Sequence, residues 1–548
     1  MRELLQRLSA YRLLTLELLI ASLFINLLSL ASSVYVIQIF NRYISYGVDA
    51  TLVTLTTGVC LALLFEFAFQ RLRLQQAENI GKARNEQLHI STFTNLTHAK
   101  ASALQRLSLA QRQELMQAPD TIAEAYSAAN IATLLDLPFT LLFLCALFFI
   151  SPILGSITAV FIFIFFLLSA INQRRLHALF LNFNELNNKT KSITHSINQD
   201  IDTIRVFEQN KMTHQAYLEK SRDVQDLKIN IADVQNFTQS MTKSVQALLS
   251  IAIYATGASL AVRGEMDIGM LVGANILAMR SLSPVTRVVQ LGEIFAKAYQ
   301  ALDKLQHFAL VDTEREGGSA LAEFSGALSF HDVAFTYPGA TSPLFESLSL
   351  DLPPASVLVV TGGNSSGKTT LARLIVGLLE PTRGQILADK LLLQQLSPSW
   401  WRTQLCYMPQ LAHFLPGTIR DNLRNTHPAI TEAQLNSVIT DADLADFIDT
   451  SAEGLETQLS NNADNLTYGQ QRRLALARAL ATFGQVVIFD EPTEGLDQRG
   501  CQCVYNLLLE LSRQGRTLIV FSQDQRIVKS APRLLDLNVK PVPQFTVK

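Results

Sequence analysis

Eight consecutive residues, Gly362-Gly363-Asn364-Ser365-Ser366-Gly367-Lys368-Thr369, follow the order G-x-x-x-x-G-K-[ST]. An apolar, strand-like run, Val357 to Val360, precedes them, and a helix-like run begins at Thr370. Small residues let backbone N–H groups turn inward onto phosphate oxygens, and a helix N-terminus adds positive potential. In that context Lys368 reaches the β- and γ-phosphates, Thr369 holds Mg²⁺, and Gly362 through Thr370 wrap the nucleotide. Further along, Val486-Val487-Ile488-Phe489-Asp490-Glu491 is an apolar strand ending in two carboxylates. Asp490 at the strand's end suits Mg²⁺, and Glu491 suits polarising an attacking water. The chemistry these residues predict is nucleotide binding and hydrolysis.

The elements that must position them form a soluble α/β domain. It begins near Gly326 with a strand-like alternation from Ala327 to Phe335. Tyr337-Pro338-Gly339 follows. An aromatic ring there can stack on adenine, although an aromatic before Pro-Gly is also common in turns. The chain has 548 residues, too many for one ordinary domain. Its formal net charge of −2 gives no field that points to nucleic acid. Its mean hydropathy of +0.20 is high for a soluble protein. Five cysteines, Cys60, Cys145, Cys406, Cys501 and Cys503, make no C-x-x-C pair and read as structural.

The apolar residues concentrate before residue 310. Stretches at 13–40, 51–69, 131–150, 153–171, 245–262 and 268–289 are each near the ~20 residues that cross a bilayer. Phe161 to Leu168, FIFIFFLL, is apolar around its whole circumference, which suits lipid. Basic residues cluster between the second and third stretches and between the fourth and fifth, while the opposite connections carry only Arg42 and Arg263. The positive-inside rule places both long connections, the N-terminus and the nucleotide domain in the cytoplasm. Those connections are rich in Ala, Leu, Gln, Glu and Lys and read as helices that continue the spans. Glu17, Glu66 and Asp136 lie in or at the ends of apolar stretches and are candidates for a substrate path, or for interface positions. The predicted fold is a multi-domain chain. An all-α six-span transmembrane domain with long cytoplasmic helices (1–310) and a linker (311–325) lead to an α/β P-loop nucleotide-binding domain (326–548).

Asn465-Leu466-Thr467-Tyr468-Gly469-Gln470-Gln471 resembles the L-S-G-G-Q signature of ATP-binding-cassette proteins. Gln410 in Tyr407-Met408-Pro409-Gln410 and Asp497 in Glu491-Pro492-Thr493-Glu494-Gly495-Leu496-Asp497 complete the cassette order. Leu134-Leu135-Asp136-Leu137-Pro138-Phe139 and Val36-Ile37-Gln38-Ile39-Phe40-Asn41-Arg42 resemble motifs of type I secretion permease/ATPases, which export polypeptides from Gram-negative bacteria. Some members begin with a cysteine-peptidase domain; here about 12 residues precede the first apolar stretch, so no leader cleavage is expected.

The resemblance implies two subunits, each nucleotide lying between one phosphate loop and the other subunit's Thr467, Gly469 and Gln470. It implies that Tyr337 stacks on adenine, and that Gln410 senses Mg²⁺ and the attacking water and couples to the membrane half. Asp497 would cross the dimer interface, and segments near 104–109 and 202–207 would be coupling turns. ATP, Mg²⁺, a secreted polypeptide, membrane lipid, a periplasmic adaptor and an outer-membrane duct are the implied cofactors and partners, in the inner membrane.

The chain departs from the family at three places. Gln523 stands at the switch-histidine position, and glutamine cannot carry a proton as histidine can. Tyr468 stands where a glycine lets backbone approach phosphate. Residues 457–463, TQLSNNA, lack the acidic residue and both glycines of the family's T-x-x-G-E-x-G stretch. Tolerated drift and a partly degenerate half-site both account for these changes. Three functions stay open on the sequence: a polypeptide exporter as homodimer or heterodimer, half of a heterodimeric small-molecule exporter, or an ATP-binding regulatory or assembly subunit with little turnover.

Overall fold

The computed structural model describes every residue except 1, 200, 209 and 461. Contacts divide the chain into two units, residues 1–97 with 107–311, and residues 98–106 with 312–548.

In the first unit six helices are long and apolar enough to cross a membrane: Arg12–Ile44, Asp49–His98, Ala128–Ile150, Pro152–Thr194, Lys211–Val262 and Ile268–Ala309. Their most apolar windows have mean hydropathies from 1.3 to 2.5, lowest in the last. The helix Asp49–His98 runs unbroken for 50 residues, about 75 Å at 1.5 Å per residue, far more than a bilayer needs. The long polar segments therefore continue the spans as helices. The short helix Ile201–Val206 follows Pro152–Gln199 in the chain, and Ala101–Leu104 belongs to the second unit. The third crossing bends at Leu137-Pro138, where proline lacks the N–H that would continue the ladder, and resumes as Phe139–Ile150.

A cluster including Phe143, Leu147, Phe165, Leu249, Ile253 and Leu277 packs the interior of this unit. Asp136 pairs with Arg73 (2.6 Å) and accepts a hydrogen bond from Asn26 (3.2 Å). The aspartate is thus held in an ion pair, the form in which a charge is least costly inside an apolar bundle.

The second unit has two sheets. Leu328–Phe335 lies between Phe345–Leu352 and Arg383–Ala388 in an antiparallel sheet. A six-stranded sheet runs Gln544–Val547, Arg533–Asp536, Val357–Thr361, Thr517–Phe521, Val486–Asp490, Leu405–Met408, parallel except at its first edge. Its central strands are buried throughout: Val486, Val487, Ile488, Phe489, Leu518, Ile519, Val520 and Phe521 are at most 1% exposed. That is why they read as continuous apolar runs and not as alternation. Residues 98–106 group with this unit because the Lys100 N–H donates to the Asp312 carbonyl (2.9 Å) and its amine pairs with Glu380 (3.0 Å).

Candidate functional site

The strand Val357–Thr361 delivers the chain into the phosphate loop, and the helix Lys368–Val376 carries it away. Gly367 takes φ +110°, a left-handed turn that aims the helix N-terminus back at the loop. The Gly363 N–H is held by the Asn538 side chain (2.8 Å), a contact no motif announces. Lys368 is 8% exposed and donates to the carbonyls of Gly362 (2.6 Å) and Gly363 (3.3 Å). Its third direction meets Glu491 at 3.3 Å.

Glu491 follows directly on the strand Val486–Asp490 and has φ +49°. Its N–H donates to Phe521 of the neighbouring strand (2.8 Å), which fixes the bend that turns the carboxylate toward Lys368. The Gln523 N–H donates to Glu491 (3.3 Å), and the Gln523 carboxamide reaches Asn364 of the phosphate loop (3.4 Å). The switch-position glutamine therefore bridges the hydrolytic carboxylate candidate and the phosphate loop.

Asp490 is fully buried, and neither carboxylate oxygen has a hydrogen-bond partner of good geometry among the described residues. Burial pushes its carboxyl above the ordinary aspartate range, with the Thr369 hydroxyl partly opposing and Glu491 adding to the rise. Buried acceptors left unpaired are rare and call for an explanation. A divalent cation supplies one, so the donor set fits Mg²⁺: Asp490, the Thr369 hydroxyl, and Gln410. The Gln410 carboxamide donates to Glu494 (3.1 Å) through its nitrogen, and its oxygen is the atom type that Mg²⁺ takes. No group of three His, Cys, Asp or Glu among the described residues forms a metal site by itself. The rest of a Mg²⁺ shell would come from water and phosphate oxygens.

Tyr337 stands at the rim, its ring edge-on to Phe335 at 4.9 Å and its hydroxyl 2.8 Å from Thr370. The aromatic is thereby tied to the helix that follows the phosphate loop.

The signature residues form a second cluster. Thr467 caps the helix Tyr468–Leu480: its hydroxyl accepts from the Gln470 N–H (3.3 Å), and Gln470 returns a bond to the Thr467 N–H (2.9 Å). Asp497 caps the helix Gln498–Arg513, accepting from the Gly500 N–H (2.9 Å) and from Arg473 (2.8 Å). The Gly500 N–H holds the Asp497 carboxyl below its usual range, with Arg473 assisting. Tyr468 is 48% exposed and lies over Gly495, where an added Cβ would come within 2.0 Å of its ring. Gly495 thus leaves the space that the tyrosine ring fills. No hydrogen bond or ion pair among the described residues joins 467–470 to the phosphate loop.

Arg472 connects the two clusters, and sequence reasoning assigned it no role. It is 1% exposed and donates to the carbonyls of Pro409 (3.0 Å), Gln410 (2.6 Å) and Glu491. Burial lowers its affinity for the proton, while Tyr468, Glu494, Asp490 and Glu491 around it hold the charge. The only signal was an arginine on the buried face of a helix. The stretch 457–463 packs nearby. Gln458–Leu459 pairs with Gly417–Thr418, and the Asn462 side chain accepts from the Phe414 N–H (2.7 Å). Asn461 of that stretch lies outside the described residues.

Comparison with known proteins identifies the family of both units. Residues 15–284 match the ABC transporter transmembrane region, and residues 345–494 match the ABC transporter family model. The leukotoxin export ATP-binding protein LtxB of Aggregatibacter actinomycetemcomitans is 26% identical over 538 residues, covering 96% of this chain and 75% of its own. The exotoxin translocation ATP-binding protein PaxB of Pasteurella aerogenes is 25% identical over 532 residues, covering 96% and 74%. The structure of a bacterial Atm1-family ABC exporter with ATP bound superposes with a TM-score of 0.81 at 19% identity, covering 97% of this chain and 94% of that one. At that identity the superposition establishes the fold.

Proposed function

The chain belongs to the ABC transporter family, and we propose that it is one subunit of an ATP-driven polypeptide exporter. As a family member it crosses the inner membrane several times, carries its nucleotide domain in the cytoplasm, and is an ATP-binding and ATP-hydrolysing unit that uses Mg²⁺. The observation that carries the finer reading is likeness along 96% of the chain to proteins named for exporting toxins. A periplasmic adaptor and an outer-membrane duct are the partners that reading requires.

In this reading the loop from Gly362 to Thr370 binds the phosphates and Tyr337 stacks on adenine. Thr369, Asp490 and Gln410 hold Mg²⁺, which neutralises phosphate charge. Glu491 orients and polarises the water, and Gln523 donates to the γ-phosphate. Lys368 lies beside Glu491 at 3.3 Å. Nucleotide phosphates compete for Lys368 and release Glu491 for the water. Thr467, Gly469, Gln470 and Asp497 serve the partner subunit's nucleotide.

A second element of the proposal is reduced turnover, favoured by Gln523 and Tyr468. Gln523 cannot shuttle a proton. Tyr468 puts a ring over Gly495 on the surface that faces the other subunit's phosphates in this reading. Such a subunit works either as a slow homodimer or beside a more complete sibling.

The test compares cells carrying the wild type or Glu491→Gln. Loss of a polypeptide from the medium, with membrane levels of the chain unchanged, is the expected result. An unaltered set of secreted polypeptides together with altered small solutes would overturn polypeptide export in favour of a small-molecule exporter.

A further inference from the structure

Three membrane-crossing helices leave their apolar stretches at one place in the first unit. On Pro152–Gln199 the change comes after Ile171, at Asn172 and Gln173. On Asn210–Val262 it comes before Val245, around Gln235 to Gln239. On Ile268–Gln290 it comes at Gln290, and Glu293 follows on the next helix, Gly292–Ala309. These helix ends surround a cavity of about 300 Å³. By the basic-residue pattern, this is the cytoplasmic end of the spans.

The wall of the cavity is carboxamide and hydroxyl. Gln173, Asn236, Gln239 and Gln290 line it, with Ser169 at its apolar end. Glu293 is the only charged residue in the lining, and it is already engaged: it accepts from Gln235 and pairs with Lys297 at 2.6 Å. Asn172 is engaged as well, donating to the Val234 carbonyl (3.2 Å) and to Thr238. Ser169 differs. It is 3% exposed, borders the cavity, and its hydroxyl has no hydrogen-bond partner among the described residues. A buried hydroxyl left unpaired is an exception in folded proteins, and this one belongs to a residue of the cavity lining. Gly292 contributes by its lack of a side chain, since a Cβ there would fall 1.5 Å from the Gln173 amide nitrogen.

This lining excludes several ligand classes. Drug-like and lipid sites are lined mainly by aliphatic and aromatic groups, and of the lining residues only Leu176 and Val289 are aliphatic. An anionic ligand needs a cation, and the lining holds none. A carboxamide offers one planar face with both donor and acceptor, which is what each peptide unit also offers. We propose that the cavity docks a short extended stretch of substrate main chain, read through its peptide N–H and C=O groups and not through its side chains. The inference rests on the polypeptide-export reading and deepens it. A site of this kind accepts many sequences.

The experiment uses the full-length chain in lipid nanodiscs. The probe is a synthetic peptide of Gly, Ser, Asn and Gln with one photoreactive residue, alongside a twin whose backbone amides are N-methylated. Labelled positions are mapped by mass spectrometry, and basal ATP turnover is measured in parallel. Labelling should fall on residues 169–176, 235–239 or 289–293. N-methylation and the double variant Ser169→Leu/Gln239→Leu should each reduce it about tenfold, one to two hydrogen bonds' worth. Ser169→Thr should retain labelling, and basal turnover should not change in any of these variants. Equal labelling by the N-methylated twin would overturn main-chain recognition. Labelling elsewhere in the membrane unit, indifferent to the double variant, would overturn the site and leave polypeptide export standing. Absence of peptide labelling, with turnover stimulated by a small neutral solute in wild type, would overturn both.

Discussion

The phosphate end and the signature end of the nucleotide unit handle their polar groups in opposite ways. At the phosphate end Lys368, Glu491, Gln523 and Asn364 are joined to one another, and the buried Asp490 is left with two open acceptor oxygens. At the signature end Thr467 and Asp497 turn their acceptors onto their own helix caps, and Tyr468 lies half exposed over Gly495. One end is a site whose parts converge within a single chain. The other is a finished surface whose remaining function lies in what it presents outward. Departures from the family pattern fall at both ends, Gln523 at the phosphate end and Tyr468 at the signature end. The loop lysine, its threonine and both strand-end carboxylates are intact, whereas Tyr468 changes the presented surface.

The largest effects test the convergent end. Glu491→Gln should lower ATP turnover by about 10²–10⁴-fold, the range for removing a general base, with nucleotide affinity retained. Lys368→Ala should instead weaken nucleotide binding by about 10²-fold, because it removes charge-assisted bonds to phosphate. Affinity by a fluorescent nucleotide and turnover by phosphate release, measured on both variants, check the pair. Equal loss of affinity in both would mean that the 3.3 Å ion pair is structural and not a resting contact released by nucleotide.

Gln523→His bears on both ends. Histidine at that position can hold the γ-phosphate and orient the water together with Glu491, so turnover should rise by about tenfold in a homodimer. In a subunit that works beside a more complete sibling the rise should appear only when the sibling is present. Fast turnover by the wild-type homodimer would remove the case for a degenerate site.

A smaller effect probes the presented surface. Gly495→Ala places a methyl where the Tyr468 ring lies and forces a non-glycine residue to φ +75°. The backbone term alone is about 1–2 kcal/mol. In a Tyr468→Gly background the steric part should vanish, leaving only the backbone part. Equal costs in both backgrounds, read as shifts in thermal unfolding, would show that ring and glycine are not coupled.

What the sequence made legible follows from how local each feature is. The strand, loop and helix around Lys368 could be read because eight contiguous residues carry the whole geometry. The six crossings could be read because apolar length is a local property, whereas the break at Leu137-Pro138, inside the third predicted stretch, was not read. Arg472 could not be read as a hub, since its partners at Pro409, Gln410 and Glu491 are backbone carbonyls brought in by the fold. Asn538 escaped for the same reason. Tyr468 could be seen as a departure, yet its companion Gly495 became visible only through the space between them.

The smallest predicted effect concerns the two open oxygens of Asp490. Burial raises its carboxyl above the ordinary value of 3.8, with Thr369, Lys368 and Arg472 opposing and Glu491 adding to the rise. Between the ordinary and the raised value the folded chain holds a proton that the unfolded chain has lost. Its contribution to stability is therefore fully present below the ordinary value and is lost as pH rises through the raised one. Above the raised value Asp490 is a buried charge eased only by Thr369, Lys368 and Arg472, and Mg²⁺ is a partner that would relieve it further. Thermal unfolding of the nucleotide-free chain should thus fall as pH rises through this window, and Mg²⁺ with ATP should restore more stability at neutral than at acid pH. Asp490→Asn should flatten both dependences, because an amide fills the same space without titrating. A pH profile unchanged by Asp490→Asn would show that the carboxyl finds its partners elsewhere, and would remove the physical argument for Mg²⁺ at this end of the strand.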